Sequence, residues 1–513
     1  MQRPTDVPGS RRFALLAILS LVFAYAWVMQ GAGSLQNAHY VLVKALAEGT
    51  ATIDRALGEV GELGTNDVAL FEGRRYSNKA PGLALAVLPP YVALEAAGAR
   101  VTGDPARMLW ALGLVGSVLP AALLLLLVRR VAEALEPGFG TLAAVTLGLG
   151  TLVLPFATLF LSHVLSAFLL FAAFAVLWHE RRGPVRLRLA GAAGLLAGLA
   201  VTVEYPNALG GLVLGLYALS RRPWAGRALA YGAGAVAGAV PLAAYNLWAF
   251  GSIARSSYEA DASGRAVDLF GTPSLDVILE LLLSEQGLLV ISPVLACGLV
   301  GTALLYRRGA RAEALAIGGV TLAYLVFNSA FYSPFGGFSP GPRYLVPVLP
   351  FLALPLALAF RAAPVATAGL GLVSATVMAA LTASHPLAGY DGRWFDRLAD
   401  GDVPLTAASL AGVTGWYAIL PFFAAVACAV VCAALATPLV ARRPLETALA
   451  GAAVLGWALA AGLAPKSGHA GDYTSYAVVL ALVLLGLICT IAVRASGLRS
   501  RALGKLRGGV AVR

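Results

Sequence analysis

The chain has 513 residues, of which 59% are hydrophobic and only 12% are charged, and its mean hydropathy is +0.80. A soluble globular protein carries about 25% charged residues, so this composition excludes that class. Apolar runs of about 20 residues recur along the chain between short arginine-bearing loops, which is typical of a polytopic helical membrane protein. In such a protein the net charge of +11 is not evidence for a nucleic-acid partner, because the charges of the loops depend on which side of the membrane each loop occupies.

The apolar runs predict an all-α protein with 14 membrane spans. The first run follows an arginine pair and is 18 residues long. Because signal-peptide cores usually have about 7–15 residues, we expect an uncleaved anchor. The predicted spans are 13–30, 107–128, 139–159, 163–178, 189–203, 207–219, 227–249, 287–306, 313–332, 344–361, 364–383, 413–437, 446–464 and 473–494.

Residues 74–98, "RRYSNKAPGLALAVLPPYVALEAAG", are apolar but contain Pro89, Pro90 and Glu95. If this segment spanned the membrane, the later arginine pairs would lie opposite the arginine-rich termini. If it does not span, 24 of the 37 Lys and Arg share one side with only 6 of the 26 Asp and Glu. Positive charge accumulates on the cytoplasmic side. The segment is therefore predicted to lie in the extracytoplasmic surface, with both termini cytoplasmic.

The stretch "VTVEYPN", residues 201–207, is the predicted tip of a helical hairpin. Each leg has about 13–15 residues and reaches ~20–22 Å, short of a ~30 Å hydrocarbon core. The tip is thus predicted to lie below the outer surface, where a carboxylate is costly and marks a candidate site. Glu204 is that candidate; a glutamate on an ordinary exposed loop is the alternative.

The largest predicted outer loop, residues 31–106, contains the first candidate for anion binding. Pro81, with Asn78 as a cap, predicts the start of a helix. Lys79 would then lie at the N-terminal end of that helix, where a cation beside free N–H groups suits a lipid phosphate. A lysine that only extends to the membrane surface is the alternative.

Several motifs, in this order and placement, resemble the GT-C superfamily of glycosyltransferases. The most similar types are the protein mannosyltransferases and the bacterial aminoarabinose lipid A transferases. "SNKAPGL" (77–83) stands where those enzymes carry D-K-P-P-L, and "SPFGGFSPGPRYLVPVLPFLALPLA" (333–357) is similar to a G-x-x-x-G-P-R-Y-L-x-P-x-L-P stretch of bacterial GT-C-like proteins. "YNLWAFGS" (245–252) and "SEQGLLVISPVL" (284–295) fit the same group.

The resemblance implies sugar transfer from a polyprenyl-phosphate donor to a cell-envelope glycan, lipid or protein at the outer face of the cytoplasmic (inner) membrane. It implies a catalytic module at 1–361, further transmembrane helices at 362–494 and a basic cytoplasmic tail at 495–513. Arg343 and Tyr344 of "SPGPRYL" are then expected to bind the donor phosphate together with Lys79. Pairing of Arg343 with loop carboxylates is the alternative.

The chain departs from this family where a catalytic base is expected. The family places two acidic residues just after the first span, whereas this chain has Gln36 and Asn37, which cannot accept a proton. An acceptor hydroxyl needs a base, so Asp67 and Asp54 of the same loop become candidates. Asp67 is preferred because it lies 12 residues before Lys79, and Asp54 is also suited to capping a helix.

A second acidic residue of the family opens the span after the next outer loop, where "FLSHVLSAF" offers His163. A histidine there is suited to bind a sugar or carry a proton, and a structural interfacial histidine is the alternative. The predicted catalytic set is thus Asp67, Asp54, Glu204 and His163. No His, Cys, Asp or Glu cluster has metal-ligand spacing, and a divalent ion held by carboxylates and pyrophosphate stays open.

Three other functions stay open on the sequence alone. A transporter would place ionisable residues at mid-span on discontinuous helices, whereas the polar residues here crowd the outer loops, apart from Glu204. A flippase for lipid-linked sugars is the second. An inactive GT-C-like scaffold is the third, because Gln36 and Asn37 replace the acidic pair.

Overall fold

The structure is a computed structural model that describes residues 10–60, 64–98, 105–260, 269–387, 394–438, 444–466, 468 and 474–482. The predicted tail at 495–513 and most of the predicted span at 473–494 lie outside the described residues.

Helices make up most of the described chain. The first twelve are α1 (Ser10–Trp27), α2 (Ser34–Ala47), α3 (Asp54–Val60), α4 (Gly82–Ala96), α5 (Pro105–Gly113), α6 (Leu119–Leu135), α7 (Gly140–Leu149), α8 (Val153–Ala157), α9 (His163–Arg181), α10 (Leu187–Val203), α11 (Asn207–Leu219) and α12 (Trp224–Phe250). The others are α13 (Ser257–Ala260), α14 (Leu275–Leu283), α15 (Leu288–Ile291), α16 (Val294–Arg307), α17 (Arg311–Ala330), α18 (Leu349–Ala353), α19 (Leu356–Ala362), α20 (Pro364–Thr382), α21 (Trp394–Ala399), α22 (Trp416–Leu435) and α23 (Pro444–Leu463).

Two small antiparallel sheets and three tighter or wider helical turns complete the fold. The strands are β1 (Val28–Met29), β2 (Val68–Phe71), β3 (Arg74–Ser77) and β4 (Leu405–Thr406), with β1 paired to β4 and β2 paired to β3. A π-helix, Leu114–Val118, joins α5 to α6, and 3-10 helices cover Arg343–Val348 and Ala407–Ala411.

The prediction of a multi-pass helical membrane protein is confirmed. By length and composition, eight helices of the described chain can cross a membrane, and two bent pairs raise the number to ten. The predicted count of 14 is not confirmed. The eight are Ser10–Trp27, Ala106–Leu135, His163–Arg181, Trp224–Phe250, Arg311–Ala330, Pro364–Thr382, Trp416–Leu435 and Glu446–Leu463.

Proline explains both bent pairs. Leu275–Ile291 meets Val294–Arg307 at 94°, and Arg343–Ala353 meets Leu356–Ala362 at 53°. Pro293 precedes α16 and Pro355 precedes α19, and proline lacks the N–H that would continue the preceding helix. Two spans predicted as straight, 287–306 and 344–361, are therefore broken.

Three shorter apolar helices, together with the span 473–494 that lies mostly outside the described residues, account for the rest of the difference. The predicted span 139–159 divides into α7 and α8 at Gly150. The hairpin legs α10 and α11 have 17 and 13 residues, about as short as predicted. The helix α4 has 15 residues with Pro89 and Pro90 inside it. Its predicted place in the outer surface stays a prediction.

A β-hairpin orders the loop between α1 and α4. Strands β2 and β3 pair from Val68↔Ser77 to Phe71↔Arg74, and the turn residues Glu72 and Gly73 have φ of 48° and 75°. Two consecutive residues with positive φ are typical of a type I′ turn, whose twist matches that of the strands. The residues that flank the hairpin, 67 and 78, are thereby held side by side.

The position of α4 generates a test of topology. In a chain without its native cysteines, we expect Ala97→Cys to react with a membrane-impermeant maleimide in intact cells, because positive-inside sorting places the end of α4 outside. Ala97 is exposed. Val185→Cys, also at an exposed residue, is the matched control and should react only after permeabilisation. The reverse pattern would invert the topology.

Candidate functional site

Several of the predicted site residues line one cavity of about 430 Å³. It lies where the start of α9, the α10–α11 tip, the start of α4 and the segment before Arg343 meet. Much of the wall is apolar. The polar lining is formed by His39, Asn78, Lys79, Ser162, His163, Glu204, Tyr205, Ser256, Tyr258, Glu259, Arg343 and Tyr344.

Asp67 and Lys79 form an ion pair. Lys79 Nζ lies 3.0 Å from Asp67 Oδ1. The same carboxylate accepts hydrogen bonds from Asn78 Nδ2 at 3.2 Å and from Ser34 Oγ at 3.2 Å. The hairpin register makes this pairing, because it places Asp67 beside Asn78. Asp67 therefore stands behind Lys79 and is absent from the cavity lining.

The protonation of this pair follows from burial and charge. Burial raises the pKa of Asp67, but Lys79 and Asn78 outweigh it, so the pKa stays below its usual value. Burial, opposed by Asp67 and reinforced by Arg343, lowers the pKa of Lys79 to about 8. At neutral pH, Asp67 is thus a fixed anion and a poor proton acceptor, and Lys79 is a cation that loses its proton readily.

Arg343 brings a second cation to the cavity. Its side chain is buried (6% exposed), and Nη2 donates a hydrogen bond to the Tyr344 hydroxyl at 3.1 Å. Within the described chain, Nε and Nη1 have no hydrogen-bond partner. Gly336, at a φ of 86°, packs so closely on this side chain that a Cβ there would lie 2.2 Å from Nε. Arg343 is therefore held with donors unused.

Glu204 and His163 form a second pair of titratable side chains in the cavity. His163 Nδ1 lies 2.5 Å from Glu204 Oε1. Glu204 also accepts hydrogen bonds from Ser162 Oγ at 2.6 Å and Ser166 Oγ at 3.1 Å. The end of α10 supplies the carboxylate and the start of α9 supplies the three partners. A carboxylate beside an imidazole is suited to receive and hold a proton.

Gln36 and Asn37 contribute to packing in this protein. They stand where the GT-C superfamily, which the motifs resemble, carries acidic residues. Gln36 Oε1 accepts a hydrogen bond from Phe160 N at 2.8 Å, and its Nε2 donates to the Gly31 carbonyl at 2.7 Å. Asn37 Nδ2 donates to the Gly64 carbonyl at 3.1 Å. Both amides therefore fix the helix α2 against its neighbours.

His39 also lines the cavity, although the sequence did not predict it as a site residue. It is 2% exposed, and its Nδ1 has no partner among the described residues. Burial lowers the pKa of His39 well below its usual value, and Lys79 and His163 lower it further, so the imidazole is neutral. Apart from the tyrosine, His39 is the only titratable residue in "QNAHY", and this could have identified it as a candidate site residue.

Asp54 lies away from the cavity. Its carboxylate accepts hydrogen bonds from Arg75 Nε at 2.7 Å and from the Arg75 backbone N–H at 3.1 Å, which ties the start of α3 to β3. In the part of the chain that the structure describes, no three His, Cys, Asp or Glu side chains are placed to hold a metal ion.

A glycine contact sets the distance between the two halves of the cavity. A Cβ on Gly82 would lie 2.6 Å from the Thr202 carbonyl oxygen and 2.6 Å from Val203 Cα. The start of α4 therefore rests directly on the backbone of α10, one residue before Glu204. Lys79 and Glu204 share a cavity because of this approach.

No protein-family model matches the chain, and no curated protein matches it in sequence. Among solved structures it is similar to ArnT from Cupriavidus metallidurans bound to undecaprenyl phosphate, with 16% identity, a TM-score of 0.46, and 95% of this chain and 77% of that chain covered. The apo state of the same protein gives 18%, 0.46, 96% and 77%. The apo oligosaccharyltransferase of Archaeoglobus fulgidus gives 11%, 0.42, 91% and 59%. These neighbours have the GT-C fold, the group that the motifs resemble. At this level of similarity, function has to be argued from the cavity itself.

The glycine contact gives a prediction on stability. Gly82→Ala should destabilise the protein by about 1–3 kcal/mol, because the added methyl group collides with backbone that cannot yield. Gly232→Ala, in the helix α12 with open space around its Cβ position, is the matched control and should be neutral or slightly stabilising. Thermal unfolding in detergent measures both. Equal midpoints would show that α4 does not rest on α10.

Proposed function

We propose that the chain is a membrane glycosyltransferase that moves a sugar from a polyprenyl-phosphate donor to an acceptor hydroxyl at the outer face of the cytoplasmic membrane. The supporting observation is Arg343, a buried guanidinium in a cavity that also contains Lys79, with two nitrogens that have no hydrogen-bond partner among the described residues. An uncompensated buried charge is unfavourable. A lipid phosphate supplies both the anion and an apolar chain.

In this proposal the donor phosphate lies between Lys79 and Arg343, with the hydroxyl of Tyr344 beside it. Asp67 holds Lys79 and therefore acts as a positioning residue. The lipid chain leaves along the apolar wall, where Phe270, Phe327 and Phe331 pack against one another with ring centroids 5.5–5.6 Å apart. All these side chains belong to residues 1–361, the proposed catalytic module.

The reaction balances with the groups present. The oxygen of the acceptor hydroxyl attacks the anomeric carbon of the sugar and forms the new glycosidic bond. The bond from that carbon to the phosphate oxygen breaks, and its electron pair leaves with polyprenyl phosphate. Lys79 and Arg343 stabilise the charge that develops there. The hydroxyl proton passes to His163, whose Nδ1 faces Glu204, so the carboxylate orients the ring and stabilises the imidazolium.

We assign the proposed base to the pair of Glu204 and His163 instead of Asp67. Asp67 is engaged by three donors and stands behind Lys79, whereas Glu204 and His163 both line the cavity. Asp54 is left out of the proposed site because it binds Arg75. The acceptor is a cell-envelope glycan, lipid or protein with a free hydroxyl.

The phosphate site gives a prediction on binding. Arg343→Ala should weaken binding of undecaprenyl phosphate by ~10- to 150-fold, because a charge-assisted hydrogen bond contributes about 1.5–3 kcal/mol. Gly336→Ala should also weaken it, because its Cβ displaces the Arg343 side chain. Gly337→Ala is the matched control, with a φ of 80° but open space around it. Calorimetric titration in detergent measures all three.

The pH dependence of the same binding separates Lys79 from Arg343. The affinity of the wild type should fall as the pH rises through about 8, because Lys79 then loses its charge while the phosphate keeps its own. Lys79→Arg should remove this fall. A wild-type affinity that is constant from pH 7 to 9.5, or one equal for Gly336→Ala and Gly337→Ala, would contradict the site.

The proton acceptor gives a prediction on turnover. Glu204→Gln and His163→Asn should each lower turnover by about 10²–10⁴-fold, the usual contribution of general-base assistance, with donor binding little changed. Asp54→Asn is the control carboxylate and should keep full turnover, whereas Asp67→Asn should act through weaker donor binding. Turnover is measured with purified protein and a panel of polyprenyl-phosphate sugars.

Two outcomes would refute parts of this proposal. Full turnover in both Glu204→Gln and His163→Asn would show that the pair is not the base. Tight binding of polyprenyl phosphate by a wild type that transfers no sugar from any donor would favour the flippase or the inactive scaffold.

A further inference from the structure

A second cavity, of about 930 Å³, lies at the far ends of the helices that form the first. Its walls come from the end of α9, the end of α11 and the start of α17. Since His163 opens the 19-residue helix α9 and Arg181 closes it, the two cavities are separated by about 27 Å of helix. Positive-inside sorting places the second cavity on the cytoplasmic side.

Some of the charges in this cavity are already compensated. Glu313 accepts a hydrogen bond from the Tyr217 hydroxyl at 3.0 Å and lies 3.5 Å from Arg181 Nε. Arg181 Nη1 donates to Ser220 Oγ at 2.7 Å. These four residues form a closed group in the cavity wall.

Two other arginines of the same cavity contact aromatic rings. Arg182 stacks on the Trp178 ring at 3.7 Å, and Arg311 lies over the Tyr306 ring at 5.5 Å. Among the described residues, neither Arg182 nor Arg311 has a carboxylate at salt-bridge distance. The cavity therefore has a net positive charge held on ordered side chains. Arg311 also begins α17, whose first N–H groups point the same way.

The rest of the cavity is apolar and opens sideways. Leu216 is 62% exposed and Leu315 is 66% exposed, and both line the cavity beside the arginines. A groove with cations at its outer edge and exposed leucines below has the polarity of one half of a membrane.

We propose that this groove binds an anionic phospholipid of the cytoplasmic leaflet. Arg182 and Arg311 contact its phosphate, and an acyl chain covers Leu216 and Leu315. The basic tail at 495–513 is excluded as occupant by its charge, and a soluble anion would leave the leucines uncovered. Anionic lipids give the cytoplasmic leaflet its negative potential, and basic pockets between helices on that side bind their head groups. This site is independent of the sugar transfer proposed above.

The test measures lipid binding to delipidated protein in detergent. Phosphatidylglycerol should bind the wild type, seen by native mass spectrometry and by a raised thermal midpoint, and phosphatidylcholine should bind much more weakly. The double variant Arg182→Gln/Arg311→Gln should bind phosphatidylglycerol about 30-fold more weakly, because each arginine contributes about 1 kcal/mol near an anionic head group.

Two further variants keep the test decisive. The double variant Arg188→Gln/Arg222→Gln removes the same charge from two exposed arginines that lie outside the groove on the same predicted side of the membrane. Arg222, like Arg182, stacks on a tryptophan. This variant should bind phosphatidylglycerol normally. Ser220→Glu keeps every arginine but places an anion in the groove, and it should bind weakly even if the double variant folds poorly.

Three results would overturn the proposal. The first is an equal loss in both arginine pairs, which would show that only general surface charge is read. The second is equal binding of phosphatidylcholine and phosphatidylglycerol. The third is a wild-type midpoint that inorganic phosphate raises as much as phosphatidylglycerol does, which would make the groove a site for a free anion.

Discussion

Two cations face the outer cavity, and among the described residues only Lys79 has a carboxylate at salt-bridge distance. Asp67 pairs with Lys79 at 3.0 Å, whereas Arg343 has only the Tyr344 hydroxyl among the described residues. The two cations respond differently to burial. Lys79 can release its proton, since its pKa lies at about 8, but a guanidinium stays charged at any working pH. Arg343 therefore keeps a positive charge that favours a bound anion at any working pH. Lys79 can lose its proton when no anion is bound and keep it when one is.

This arrangement depends on contacts between segments that are far apart in the chain. The β2–β3 hairpin places Asp67 beside Lys79, and Gly82 lets α4 rest on the backbone of α10. Gly336 covers the Arg343 side chain in the same way. At both glycines a methyl group would overlap neighbouring atoms. The cavity is thus built by close backbone packing, and the charges are placed by that packing.

The sequence predicted the class of fold and the cavity side chains Lys79, His163, Glu204 and Arg343, because long apolar runs and local motifs carry that information. It did not predict that two of the spans break at Pro293 and Pro355, since the effect of these prolines on the helix direction depends on tertiary packing. The spacing to Lys79 predicted Asp67 as the base, whereas its contacts with Lys79, Asn78 and Ser34 favour the positioning role that we propose for it. His39 was missed because a single histidine on an apolar helix has no local signature.

The replacement of the acidic pair by Gln36 and Asn37 raises the question of whether the protein is an inactive scaffold. A comparison of two buried acid–base pairs bears on this question. Glu180 and Arg227 are 0% and 1% exposed, at 2.6 Å, and line neither described cavity; such a pair only closes a helix contact. Glu204 and His163 are 11% and 6% exposed and open onto the outer cavity. A carboxylate at membrane depth is costly, and a purely structural pair gains nothing from that opening. The exposure of this pair to the cavity that contains Arg343 is what the proposed proton transfer to His163 requires, and in that proposal the pair on α9 and α10 takes the place of the acidic residues that α2 lacks.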